Sequence, residues 1–148
     1  MRKRWLALAV VCVAVLSAAI PSSASAASKP LFAALSGANE VPDGDRNGGG
    51  SFTAVIKGRQ MCFGLAVKNI DDPVAAHIHK GRKGVNGDIV VTLVPPEDGD
   101  PGASSGCTTL TRKLVRAIRK NPRRYYVNVH TEDFPDGAVR GQLFARGA

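Results

Sequence analysis

Three histidines are the strongest candidates for a chemical site in this sequence. His77 and His79 flank Ile78 in one apolar run, and His130 ends a later one. Alternate side chains of a β-strand share a face, so the first two imidazoles lie on one side of the predicted strand. Two ligands from one strand and one from another can surround copper or zinc and leave a fourth position open. The pattern indicates a metal site, with copper preferred to zinc; the alternative is three ordinary surface histidines at strand ends.

Other chemistry is weakly represented. The run Asp43–Gly48 matches the first half of a calcium loop, but its twelfth position is Ala54 instead of the bidentate Glu that this geometry requires. A flexible polar turn is therefore favoured. No Ser-His-Asp or Cys-His arrangement, carboxylate pair or phosphate-binding glycine loop is readable. We predict no catalytic residue, and an enzyme is the less favoured class.

The amino-terminal segment is typical of an export signal. A basic start at Met1–Arg4 precedes the apolar run Trp5–Ile20, and Ala24–Ala26 forms a small-x-small cleavage site. The run is short and Ala-rich for a membrane anchor, which is the alternative. We therefore predict a signal peptide over 1–26 that is removed, a short leader over 27–30, and a location outside the cell or in the cell envelope.

Two cysteines remain once Cys12 is removed with the predicted signal peptide. In an exported protein, Cys62 and Cys107 most simply form one disulfide. The alternatives are buried free thiols or a thiol pair that binds metal. Their wide spacing lacks a CxxC signature, which favours the disulfide.

Positive charge is concentrated in one segment. The chain has 20 Lys and Arg against 12 Asp and Glu, a net charge of +8, and loss of the three cations of the signal peptide leaves +5. We name seven of these cations the basic patch: Arg112, Lys113, Arg116, Arg119, Lys120, Arg123 and Arg124. The patch could bind anionic cell-wall polymer or a membrane surface; the alternative is a solvated helix face. Nucleic acid is disfavoured by the compartment and by the lack of aromatic residues among these cations.

Most of the secondary structure predicted for this chain consists of short strands. With 16 Gly, 9 Pro and 44% hydrophobic residues, the chain favours many turns around a real core. Alternating or apolar runs predict strands at Leu31–Leu35, Ser51–Ile56, Met61–Val67, Val74–His79, Asp88–Val94, Tyr125–Val129 and Ala138–Ala145. The fold class is therefore all-β: an antiparallel Greek-key sandwich or barrel of about 7–8 strands with one short amphipathic helix.

The helix and the loops complete this prediction. The helical pattern spans Thr109–Lys120, with Thr108 or Thr109 as its N-cap and Asn121-Pro122 at its end. The Gly-, Pro- and Asp-rich segment 97–106 is expected to be a surface loop. The three glycines at 48–50 are also expected to lie in a loop, since glycine loses most backbone entropy in a regular element.

Several motifs together resemble the CHRD (chordin) domain. They are the opening Leu31–Pro42, the middle motif His77–Gly81 with Gly87–Val90, and the closing motifs at 121–122, 126–131 and 134–143. The resemblance implies a single CHRD domain over 31–146, a β-rich module found in secreted microbial proteins and repeated in animal chordin. The resemblance implies more about the fold than about the function, and we predict a binding module.

The site also resembles that of the copper/zinc superoxide dismutases. They too have a His-x-His strand, a later strand ending in His, and an Arg near the last strand. The resemblance implies His77, His79 and His130 as copper ligands and Arg140 as an anion-guiding residue. However, no fourth histidine is left to bridge to zinc. A dismutase-like redox enzyme and a metal-free cell-surface domain are the alternatives to a metal-binding module, and a structural role for Arg140 as donor to loop carbonyls is the alternative to catalysis.

Overall fold

The computed structural model describes residues 29–146, so the predicted signal peptide lies outside the described residues. The strands are β1 Leu31–Ser36, β2 Gly49–Lys57, β3 Gln60–Lys68, β4 Ala75–Lys80, β5 Ile89–Leu93, β6 Gly102–Thr109, β7 Tyr125–His130, β8 Val139–Gln142 and β9 Phe144–Ala145. The helix α1 is Arg112–Lys120, and short 3-10 turns occur at Gly37–Asn39 and Pro122–Arg124. No helix within 29–146 is long and apolar enough to cross a membrane.

All strand pairs are antiparallel, in the order β5-β4-β7-β8-β1-β2-β3-β6, with β9 added beside β1. The two edge strands come close, because Ser104 Oγ donates a hydrogen bond of 2.7 Å to the carbonyl of Val94 just after β5. The sheet is thus a nearly closed barrel, as the predicted all-β class requires. Although β6 follows β5 along the chain, it forms its strand pairing with β3. This crossover connection is typical of a Greek key.

Side-chain alternation fills the barrel. In β2, Phe52, Ala54 and Ile56 are buried, while the residues between them are exposed. In β7, Val127 and Val129 are both 0% exposed. The two-residue period thus places the large apolar side chains inside the barrel in both strands, where they are removed from water.

The predicted start of the helix is wrong. Thr108 and Thr109 are the last residues of β6, where they pair with Met61 and Gln60 of β3. The N-cap is Thr111, whose Oγ1 accepts a hydrogen bond of 3.1 Å from the backbone N–H of Leu114. A β-branched residue suits both positions, so local sequence does not show where the strand ends and the cap begins.

The predicted loop 97–106 is also wrong in its second half, because β6 begins at Gly102. Its inward positions carry no large apolar side chain, and Gly106 lies against the ring of Phe63. Gly49 and Gly50, predicted to be loop, belong to β2, where a Cβ on Gly50 would collide with the carbonyl of Ala66. The last predicted strand is divided into β8 and β9.

The predicted disulfide is confirmed. Cys62 and Cys107 are directly opposite each other in β3 and β6, with their Cα atoms 4.0 Å apart. Cys62 is half-buried and Cys107 exposed, so the bond lies on the outer face of the barrel. It cross-links the edge strand β6, which has little apolar side chain of its own, to the body of the sheet.

Candidate metal centre

The three histidines are brought together by the pairing of β4 with β7. In this register His77 lies opposite Asn128, and His130 lies opposite Ala75. Ala76 and Ile78 are both 0% exposed in the core, so His77 and His79 share the outer face of β4. Residues far apart in sequence thus meet on two adjacent strands, as the His-x-His pattern predicts.

One ring nitrogen from each histidine lies within 4.8 Å of the other two. The closest contact is 3.2 Å, between His77 Nδ1 and His130 Nε2. Metal–nitrogen bonds of about 2.0–2.1 Å place tetrahedral ligands roughly 3.4 Å apart and no ligands more than about 4.2 Å apart. The His77–His130 pair already has this spacing, and a side-chain movement of less than about 1 Å completes the set.

Backbone carbonyls fix the orientation of two of the rings. His79 Nδ1 donates to the carbonyl of Gly87 at 2.8 Å, and His130 Nδ1 donates to the carbonyl of Pro135 at 2.8 Å. A carbonyl only accepts, so in both neutral rings Nδ1 carries the proton and Nε2 keeps its lone pair. Metal-ligating histidines commonly hold their other ring nitrogen in this way.

Burial favours the neutral, metal-binding form of His77 and His79. It lowers the pKa of His77, and the neighbouring His130 and His79 lower it further. It also lowers the pKa of His79, where the hydrogen bond to Gly87 acts in the opposite direction. Neutral imidazole is the ligand form, so protons compete little at neutral pH.

Aromatic stacking supports the site from the β7 side. The ring of Tyr126 stacks on His79 with centroids 4.7 Å apart and planes 5° from parallel. The guanidinium carbon of Arg140 lies 3.4 Å from the centroid of the Tyr126 ring. Both neighbours fit only on opposite faces of the ring, so Tyr126 lies between the imidazole and the cation. The packing limits the rotation of His79.

Arg140 is 1% exposed, and its side chain contacts other residues of the domain. Its Nη2 donates to the carbonyls of Arg82 and Val85 at 3.0 and 2.8 Å, and its Nη1 donates to Asn86 Oδ1 at 3.0 Å. These groups belong to the loop between β4 and β5, which also carries Gly87, the partner of His79. Arg140 therefore positions the loop that orients a histidine.

The model of the CHRD domain family matches residues 31–143, about three quarters of the chain. The chain belongs to the CHRD domain family. No curated protein and no solved structure matches it.

Three polar groups of this CHRD domain were not found from the sequence: Glu40, Tyr126 and Asn128. Glu40 is 4% exposed, and burial raises its pKa to about 7 although the nearby Arg140 lowers it. Asn128 is 2% exposed and lies opposite His77 in the pairing of β4 with β7. The signal for Tyr126 and Asn128 was their shared strand face with His130; Glu40 has no comparable periodic signal.

Unpartnered polar atoms are concentrated at this site. Among the described residues, the buried side-chain atoms without a hydrogen-bond partner are Glu40 Oε1, His79 Nε2 and Asn128 Oδ1. Leaving such a group unpaired costs about 1–3 kcal/mol, so most native structures avoid it. A site with a lone pair at His79 Nε2 fits a metal ion as its partner.

The basic patch lies elsewhere, on α1 and the 3-10 turn after it. All seven of its residues are exposed. Arg119 is also tied to the barrel, because its Nη2 donates to the carbonyl of Ile56 at 2.7 Å. Of the apolar side chains of the helix, Val115 and Ile118 are buried in the core, and Leu114 and Ala117 are half-buried against it. The helix therefore presents an almost purely cationic surface to solvent.

Proposed function

We propose that this CHRD domain is a secreted module that binds one copper ion, or zinc, through His77, His79 and His130. The observation that carries the proposal is the convergence of three ring nitrogens within 4.8 Å, two of them in rings whose other nitrogen donates to a backbone carbonyl. The unpartnered Nε2 of buried His79 supports it. Surface histidines without a ligand have no need of such fixed orientations.

Ligand chemistry favours copper within this proposal. A site of three neutral imidazoles follows the usual affinity order, in which Cu(II) exceeds Zn(II). Bound copper would supply a redox-active centre with room for a further ligand. The Cys62–Cys107 disulfide and the CHRD domain are consistent with an extracellular location, where structural disulfides persist.

A dismutase-like enzyme receives less support from the same geometry. Anion guidance needs a cation that an incoming ion can reach, but Arg140 is 1% exposed and bonded to loop carbonyls. Its contacts support a positioning role. We therefore propose binding rather than turnover. Superoxide decay measured with the copper-loaded protein distinguishes the two. A rate no higher than that of the His77→Ala variant mixed with the same amount of copper supports binding.

The decisive experiment is a calorimetric titration of the untagged, metal-free chain with Cu(II) and with Zn(II). The sequence has only 3 His, all in the cluster, so no other imidazole of the chain competes. We expect one ion per chain and a loss of affinity of about 100-fold or more in His77→Ala and His130→Ala. Electron paramagnetic resonance of the Cu(II) form should show nitrogen ligands.

The matched control is Thr92→Ala. Thr92 lies opposite His77 in β5 and is exposed, so this variant changes the neighbouring position without removing a ligand. Its affinity should equal that of the unaltered chain. Unchanged affinity in His77→Ala, or equal losses in His77→Ala and Thr92→Ala, would contradict the proposal. Metal analysis of protein taken from its exported compartment then identifies the natural ion.

A second candidate function is retention on an anionic surface, either cell-wall polymer or membrane. The observation in its favour is that all seven residues of the basic patch are exposed on one connection of the barrel. Salt-sensitive retention of the chain on anionic material tests it, because ionic strength screens contacts between exposed charges.

A further inference from the structure

The two ends of the barrel carry opposite charge. Because every strand pair is antiparallel, the connections β1–β2, β3–β4, β5–β6 and β7–β8 leave one end, and the connections β2–β3, β4–β5 and β6–β7 leave the other. The first four connections contain eleven of the 12 acidic residues of the chain, and we call this the acidic end. Six of them line an open groove there: Asp71, Asp72, Asp98, Asp100, Glu132 and Asp133.

The opposite end, which we call the basic end, holds most of the cations. Besides the basic patch, it includes Lys57, Arg59, Lys80, Arg82 and Lys83 at strand ends and turns. The only acidic residue of its connections is Asp88, within the described part of the chain. A separation of charge of this size produces a strong local potential even though the net charge is moderate.

The cations of α1 are arranged in a row. Arg112, Arg116 and Arg119 follow one another at four and three residues, which places them on one side of the helix at intervals of about 4.5–6 Å along its axis. Lys113 and Lys120 lie together on one side of the row, and Arg119, its last member, also donates to the carbonyl of Ile56. A linear arrangement of charges suits a linear polyanion, in which each short repeat carries one phosphate.

We propose that the basic end binds a linear polyphosphodiester chain of the cell envelope. The inference rests on the second candidate function above and names its partner. A bilayer is less suitable, because interfacial helices insert apolar side chains, whereas Val115 and Ile118 of α1 are buried in the core. Head-to-tail pairing with a second copy, acidic end on basic end, is the competing occupant and is an outcome of the test below. Docking by this end leaves the histidines free on the side wall of the barrel.

The test measures binding of the full mature chain to soluble poly(glycerol phosphate) over a series of salt concentrations. The double variant Arg112→Gln/Arg116→Gln should bind roughly 10- to 30-fold more weakly. The slope of log affinity against log salt should fall by about 1.4, for two lost phosphate contacts. Both side chains are exposed and make no hydrogen bond within residues 29–146, so urea unfolding should show an intact fold.

The matched control is Arg46→Gln/Lys68→Gln, which removes the same charge from two exposed positions of the acidic end. Its affinity for the polymer should stay within about twofold of that of the unaltered chain. These cations are at the opposite end of the barrel, farther from the bound polymer than the screening length. Equal losses in the two double variants would mean that bulk charge is responsible, and would overturn the proposal.

Two further measurements separate the alternatives. Tighter binding to vesicles of phosphatidylcholine and phosphatidylglycerol than to the polymer would overturn the choice of polymer while leaving surface retention in place. Salt-sensitive self-association in sedimentation velocity, abolished by Arg112→Gln/Arg116→Gln, would show that a second copy binds the basic end. His77→Ala should bind the polymer normally, so failure of the metal site and failure of this proposal are distinguishable.

Discussion

Two outer faces of the same barrel differ sharply in their exposure to water. On β7 and β8, the outward residues Asn128 and Arg140 are 2% and 1% exposed, whereas the outward Val55 on β2 is 47% exposed. The two-residue period places all three side chains outside the core. What differs is the cover. The β1–β2 and β4–β5 connections close over the outer side of β7 and β8, which we call the covered face. No connection of the described chain closes over the outer side of β2, β3 and β6, which we call the open face. A polar site can therefore be built on the outside of a barrel and still be shielded from solvent.

Hydrogen bonds between connections hold this cover in place. Asn86, in the β4–β5 connection, donates to the carbonyl of Val41 in the β1–β2 connection at 2.6 Å. Asn39 donates to the carbonyl of Arg140 at 3.2 Å, and the Arg140 side chain returns to the β4–β5 connection. The covered face is thus held by polar contacts, while the open face has the disulfide.

The largest expected effect is on the open face. In Cys62→Ser/Cys107→Ser, loss of the cross-link over a separation of 45 residues should lower the free energy of unfolding by about 4 kcal/mol. Urea unfolding measures the change. Metal affinity should be kept under folding conditions, because β3 and β6 contribute none of the histidines; a lost site in a folded variant would contradict the independence of the two faces.

Removing Arg140 should have the next largest effect, of about 3 kcal/mol, on the covered face. In Arg140→Met, the carbonyls of Arg82 and Val85 lose their donor and remain partly buried. The loop that positions Gly87 loosens, so metal affinity should also fall by about 10- to 100-fold. Urea unfolding and metal titration measure the two effects. A stable variant with normal affinity would contradict the positioning role.

Local patterns predicted the histidine pair and the disulfide but not the cover. The shared face of His77 and His79 follows from strand periodicity, and the Cys62–Cys107 bond follows from the cysteine count of a predicted exported protein; their direct opposition on β3 and β6 was not predicted. The cover does not follow from local patterns, because Glu40 and Arg140 meet through connections that are distant in sequence. The strand β6 was missed for a related reason: its glycines and serines lack apolar alternation, and its place depends on pairing with β3. The separation of charge between the two ends is not visible in the net charge of the chain. It depends on which connections leave the same end of the antiparallel barrel.

Titration of Glu40, on the covered face, should change the free energy of unfolding with pH by about 2 kcal/mol. Burial raises its pKa from 4.5 to about 7, so the folded state holds a proton that the unfolded state has lost, and its contribution to stability declines as pH rises through this window. The lowered pKa values of His77 and His79 act oppositely, with stability lost as pH falls below 6.5. Glu40→Gln isolates the first effect.

The measurement compares urea unfolding of the Glu40→Gln variant and the unaltered chain at about pH 5 and about pH 8. The variant should gain stability relative to the unaltered chain as pH rises, because Gln stays neutral. The histidine contribution cancels in this difference. A difference that is constant with pH would mean that Glu40 titrates normally and that the cover does not exclude water from it.

The smallest effect is expected at the open face, and it bears most directly on the comparison. Val55→Thr keeps the β-branched shape at an outward position that is 47% exposed, so the free energy of unfolding should change by no more than about 0.5 kcal/mol. Asn128→Ala, at an outward position under the cover, should cost about 1–2 kcal/mol, because the polar groups around Glu40 lose a neighbour. If both substitutions had equal effects in urea unfolding, burial by the connections would not be what distinguishes the faces, and the shielding of the histidines would need another cause.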